Sequence, residues 1–292
     1  MKQYDKLWKG VIETFAQDFI CFFFPRSDQV FDFTRGIEFL DQELLMISPP
    51  EDQKFKTRYV DKLIKLFTQT GTEEFILIHA EVQGQRDDDF AKRLFTYYYR
   101  ILDKFDKDTT TLVIFTDADK DFHPRFYERR SLNTRLLFEF QTYKVLDQDE
   151  EKLTADPNPF AVAILIAKLA LKKGQLKDLE LLDQAFFLAK RLIKRQIPKE
   201  QIGKLLAFLR HYLSFENREN DGIFESTLKE LTKGDITMGI EDAILEIVKE
   251  ESKEEGVQEG LKKAALEMKK MGYDVEAIIA VTGLPKEDIE NL

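Results

Sequence analysis

The chain is predicted to be an α/β protein: an α/β unit over residues 1–148, followed by an all-helical C-terminal region. Three observations lead there. Between 36 and 146, short apolar runs rich in β-branched and aromatic residues recur around one strongly amphipathic helix. After Asp147 only helical periodicity remains, punctuated by Gly and Pro. With 43% hydrophobic residues and 25 Phe among 292, the chain has ample material for a packed core.

In order, residues 4–24 set Leu7, Trp8, Val11, Ile12, Phe15, Phe19 and Ile20 at helical spacing, and Pro25 stops the run. Lys9, Glu13 and Gln17 form a second, polar line at i, i+4, so Glu13 points either toward a site or toward water. GIEFLDQELLMI at 36–47 reads as a strand with Phe39, Asp41, Glu43 and Leu45 on one face. SPPEDQ is a turn, and TRYVDKLIKLF at 57–67 is a second strand that groups Tyr59, Asp61 and Leu63. QTGTEE, hinged at Gly71, connects it to a third strand at 74–84; strands joined this closely pair antiparallel. Residues 87–105 form the amphipathic helix, with Phe90, Leu94, Tyr97, Tyr98, Ile101, Leu102 and Phe105 as its stripe. Strands follow at 110–117 and 136–146.

Helices are then predicted near 159–173, 178–195, 199–213 and 216–231, with a long charged helix from about 240 to 271 and two short ones at the end. This divides the chain into 1–148, a helical region 149–235 and a helical tail 236–292.

Composition narrows the function classes. One cysteine, Cys21, excludes a disulfide framework; it lies in an apolar helical run, where it reads as core filler. The acids Asp5, Glu13 and Asp18 around a short FICFFF argue against a signal peptide, and FAVAILIAKLAL at 160–171 is too short to span a bilayer. A cytoplasmic protein with no membrane partner is expected. A net charge of −10 argues against indiscriminate nucleic-acid binding. Yet Lys62, Lys65, Arg86, Lys92, Arg93, Arg100 and Lys104 concentrate near one stretch, either as a local basic groove or as a solvated face. Neither a phosphate-binding glycine loop nor a nucleophile elbow is present in the sequence.

That stretch is FILIHAEVQGQ, 75–85. As a strand it sends Leu77, His79, Glu81 and Gln83 to one face. An ionised Glu at the end of a buried strand costs several kcal/mol unless a cation or dense hydrogen bonding compensates it. Asp61, on the neighbouring strand, is the candidate partner. Two carboxylates and an intervening carbonyl form an oxygen donor set suited to a hard divalent cation, and a polar side chain two residues on could orient a water. The competing reading of Asp61 is an ordinary ion pair with Lys62 or Lys65. His79, without zinc spacing around it, reads as a packed residue.

YDKLWKGVIETF at 4–15, FLDQEL at 39–44, YVDKL at 59–63, IHAEVQGQ at 78–85 and RLFTYYYRI at 93–101 together resemble the PD-(D/E)XK nuclease superfamily, and more closely its recombination-promoting nuclease and putative transposase group. The resemblance implies a restriction-endonuclease-like core, a mixed central sheet flanked by helices, and a metal-dependent DNA endonuclease using Mg2+ or Mn2+. It makes Asp61 and Glu81 metal ligands, with the carbonyl of Val82 as a third. Gln83 takes the place usually held by lysine, a departure, since a neutral amide cannot stabilise developing negative charge as an ammonium does. Glu13 would add an acid, and Arg93, Arg100 and Lys9 would contact DNA phosphates. The alternative is a catalytically weak or inactive DNA-binding or assembly module. The tail VEAIIAVTGLPKEDIENL has a helix-turn-helix look but little basic charge; self-association into a homo-oligomer is its other reading.

Overall fold

A computed structural model describes residues 2–41, 44, 59–81, 89–173, 175–232, 260–284 and 289, with the backbone alone at 2–6, 59–61 and 75–81. The chain opens with α1 (Lys2–Thr14) and α2 (Ala16–Phe23), where the sequence suggests one helix. Phe15 leaves helical geometry (φ −114°, ψ 34°) while its ring stays buried, so the apolar period runs unbroken through the bend. Cys21, in α2, is a free and half-buried thiol.

A one-turn helix, α3 (Ser27–Val30), precedes β1 (Glu38–Phe39), which is far shorter than the strand expected over 36–47. After Phe39 the chain turns helical: Leu44 N donates to Leu40 O, and both leucines join a cluster with Leu63, Tyr97 and Ile101. The i, i+4 spacing of Leu40 and Leu44 carries that helical period, which the strand reading overlooked. Glu43 and Leu45 lie outside the described residues.

The central hairpin follows the expectation closely. Strands β2 (Tyr59–Phe67) and β3 (Glu73–Glu81) pair antiparallel through all nine residues. Gly71 in the turn has φ +88°, a conformation that a side chain would strain. Helix α4 (Phe90–Phe105) crosses back, and β4 (Thr109–Phe115) adds parallel to β3. Both neighbours of β4 are parallel, and it is buried on two sides, which its continuous apolar run TLVIF reflects.

The run at 136–146 proves to be two strands. β5 (Phe126–Ser131) and β6 (Thr134–Glu139) form a separate hairpin, and β7 (Gln141–Lys144) joins the main sheet parallel to β4. The chain changes partners at Phe140, whose N–H donates to Arg125 O, and an apolar run cannot announce such a switch. The main sheet therefore has the order β1-β2-β3-β4-β7.

Helices α5 (Glu150–Ala155), α6 (Phe160–Leu171), α7 (Asp178–Ile193), α8 (Lys199–Tyr212) and α9 (Arg218–Thr232) complete the body. In α6 every residue but Lys168 is buried, and that lysine reaches out to donate to Leu146 O at 2.6 Å. One core cluster unites Trp8, Phe15 and Phe19 with Ile64 and Leu66 of β2, Ile114 of β4, and residues of α6 to α9. Trp8 lies edge-on to Phe208, and its indole N–H donates to the Tyr212 hydroxyl at 3.1 Å. Packing is thus continuous across residue 148. One face of the sheet meets α1 and the helical region; the other meets α4 and the β5–β6 hairpin.

In the tail, a helix at 260–270 and the next, Val275–Thr282, bury Ala265, Ile278, Leu284 and Ile289 in a small cluster of their own. Gly283 (φ +65°) ends the second helix, as the sequence indicates. The stretches 233–259 and 285–288 lie outside the described residues. Among the described residues no helix is long and apolar enough to cross a membrane.

Candidate functional site

Ladder register defines the site. Asp61 stands opposite His79, and Tyr59 opposite Glu81. Glu81 is therefore the diagonal neighbour of Asp61, a relation that spaces such positions about 7–8 Å apart. Glu81 also pairs with Phe115, and Phe115 with Lys144, so the ends of three parallel strands form one row. Phe115 packs with Phe90 and Leu94 of α4, so these register positions belong to the α4 face of the sheet. The carboxyl edge of parallel strands is where α/β folds place ligands.

Val82 and Gln83 lie outside the described residues, as do the side chains of Asp61, His79 and Glu81. Among the described residues no group of three or more His, Cys, Asp or Glu could hold a metal. The register thus sets two carboxylate-bearing residues, Asp61 and Glu81, at diagonal positions on adjoining strands.

Glu13 has a partner that sequence reasoning missed. Lys62, next to Asp61, is 1% exposed, and its ammonium pairs with both the Glu13 and Asp41 carboxylates. Its alternate positions Ile64 and Leu66 belong to the core cluster around α1. Lys62 and Glu13 therefore meet on the α1 face, while the Asp61 and Glu81 positions fall on the α4 face. The aliphatic stem of Lys62 crosses the apolar layer, and its charge ends 5.0 Å from the Phe39 ring, where the two carboxylates compensate it. Lys65 pairs at 2.7 Å with Glu38 and at 3.7 Å with Glu73. Lys9 is half-buried in α1, one turn before Glu13.

A second buried pair lies at the same edge as Glu81. Asp117 follows β4 by two residues, and its Oδ1 accepts from Lys144 Nζ at 2.6 Å. The two side chains are 5% and 1% exposed. The other protons of the ammonium go to Asp119 O at 2.8 Å and Phe122 O at 3.1 Å. Lys144 thus ties the loop after β4 to the end of β7. The signal was present in the sequence: the reasoning that singles out Glu81, an acid closing a buried strand, applies equally to Asp117.

In α4 the residues Phe90, Leu94, Tyr97 and Ile101 are buried toward the sheet. Arg93 and Arg100 lie roughly 90° to one side of that line, and Phe95 and Tyr98 roughly 90° to the other. Arg93 sits over the Phe90 ring at 5.8 Å. Arg100 is two turns farther on, about 10 Å along the axis. Of the three tyrosines, Tyr97 is buried, Tyr98 packs on Phe138, and Tyr99 is 53% exposed. Burial pushes the His123 pKa down, and its Nε2 hydrogen-bonds the Thr142 hydroxyl at 3.0 Å.

Comparison with protein-family models, with curated proteins and with solved structures finds no match.

Proposed function

We propose that the protein is a metal-dependent DNA endonuclease on a restriction-endonuclease-like core, acting in the cytoplasm. The observation that carries this reading is the diagonal relation of Asp61 and Glu81 on adjoining strands, at the carboxyl edge of β3. Asp61, Glu81 and the Val82 carbonyl would hold Mg2+ or Mn2+. Such an ion polarises a phosphodiester and lowers the pKa of a bound water. Gln83 orients the attacking water through its amide. Arg93 and Arg100, on one flank of α4, hold backbone phosphates; Lys9, one turn before Glu13 on α1, belongs to the opposite face of the sheet. Glu13 fastens Lys62 and thereby braces β2 beside Asp61. Purified protein with Mg2+ should nick supercoiled plasmid, while Asp61→Ala and Glu81→Ala should each abolish nicking and Mn2+ binding. Undiminished cutting by both variants would falsify the assignment.

A second reading, a non-catalytic DNA-binding or assembly module that self-associates through its tail, draws support from the separate apolar cluster of Ala265, Ile278, Leu284 and Ile289. Solution mass with and without residues 236–292 tests the oligomer; identical protomer numbers would remove it.

A further inference from the structure

The β5–β6 hairpin takes no part in the proposed metal site. Its inner face packs on α4: Tyr127 stacks on Phe95 with ring centroids 5.4 Å apart, and Phe138 meets Tyr98 at 4.9 Å. Its outer face is open. There Arg130 stands directly opposite Arg135 in the ladder, both largely exposed. Like charges in directly opposed positions repel. A single carboxylate relieves this pair: Glu128 Oε1 accepts from Arg130 Nε at 2.8 Å and from Arg135 Nε at 2.5 Å. Two guanidiniums converge on one anionic oxygen, a position that a phosphate oxygen could take and that is at present filled from within. Residues 125–139 hold four arginines against two glutamates, in a chain of net charge −10.

The tip adds a second, independent feature. Leu132 begins a two-residue turn with φ +49°, a conformation that glycine or asparagine ordinarily supplies. Its side chain is 103% exposed. Neither burial nor backbone preference accounts for a leucine there, and strain kept at an exposed position points to a partner.

We infer that the hairpin is a contact arm for duplex DNA. Arg130 and Arg135 take a backbone phosphate in the seat now occupied by the Glu128 carboxylate, and Leu132 lies as an apolar wedge against the minor groove. The choice of DNA as partner rests on the endonuclease reading above.

The test uses the full chain, a fluorescein-labelled duplex of about 20 base pairs and EDTA, so that binding is read without metal or cleavage. The double variant Arg130→Ala/Arg135→Ala should weaken binding at least about tenfold and lower the slope of log K against log salt by about one, the value for a single lost phosphate contact. Glu128→Ala, which empties the seat, should tighten binding more than the charge-matched Glu128→Gln, whose amide oxygen still accepts from both guanidiniums; equal gains in the two variants would mark a bulk charge effect and overturn the seat. Leu132→Gly should relieve the backbone, raise the melting temperature, and still weaken binding. Unchanged affinity and slope in the double variant would overturn the arm while leaving nicking by the parent intact. Variants that change the solution mass but not DNA affinity would also overturn it, marking a protein interface instead. A parent that binds no duplex in EDTA would overturn the arm, while the endonuclease reading is decided separately by Mg2+-dependent nicking.

Discussion

The Lys144 ammonium and the Asp117 carboxylate meet at 2.6 Å with both side chains almost wholly removed from water. The pair closes the carboxyl edge of the sheet between β4 and β7. Removing one member strands the other as an uncompensated buried charge. Lys144→Met is therefore predicted to cost about 3–5 kcal/mol, read as a lowered urea midpoint at constant slope. A loss below about 1 kcal/mol would show that water reaches the pair.

Lys62 braces a different junction, holding α1 and the segment after β1 against β2 through Glu13 and Asp41. Lys62→Met is predicted to destabilise by about 3 kcal/mol, less than Lys144→Met because its partners are partly exposed. Glu13→Gln should lower stability yet keep Mn2+ affinity within about threefold, since the Asp61 and Glu81 positions lie on the other face. Loss of metal binding in Glu13→Gln at an unchanged melting temperature would restore Glu13 to the metal site.

Gln83 stands where the resemblance expects lysine. Gln83→Lys is predicted to raise the initial rate of Mg2+-dependent plasmid nicking about tenfold, because an ammonium stabilises developing negative charge that an amide does not. No gain, or a loss, would place the side chain away from the reacting phosphate.

Stability should fall as pH drops through the histidine range. Burial, reinforced by Arg210, holds the His211 pKa below its ordinary 6.5, and burial acts likewise on His123, with Arg125 beside it. The unfolded chain takes up these protons near 6.5 and the folded protein only at lower pH, so their contribution is full above 6.5 and is lost below it. The urea midpoint is expected to be lower at about pH 5.5 than at about pH 7.5, and His211→Gln should flatten the difference. An unchanged slope in that variant would exclude His211 as its source.

Much of the α/β unit is legible in the residues. The nine-residue hairpin β2–β3, its glycine turn, α4 and β4 follow from periodicity and punctuation. Strand β5 (Phe126–Ser131) is not expected from the sequence at all, because its mostly polar, largely exposed residues carry no apolar alternation. Three other errors share one cause. At Phe15, after Phe39 and at Phe140 the apolar pattern continues while the backbone changes direction or partner. Periodicity records which side chains are buried, not which neighbour buries them.

The same distinction divides the candidate site. By itself the sequence determined that Glu81 is an acid closing an apolar strand, and that Asp61 lies one tight turn away on the strand beside it. Local chemistry suffices there, because a short hairpin leaves little choice of register. Only the tertiary structure decided that Glu13 and Asp41 belong to Lys62, that Asp117 and Lys144 seal the edge beside Glu81, and that Arg130 and Arg135 converge on Glu128. Except for the neighbours in the β5–β6 hairpin, these groups are far apart in the chain. Their pairing is set by sheet order and crossovers, which bring charges together only after the apolar layers have chosen their partners.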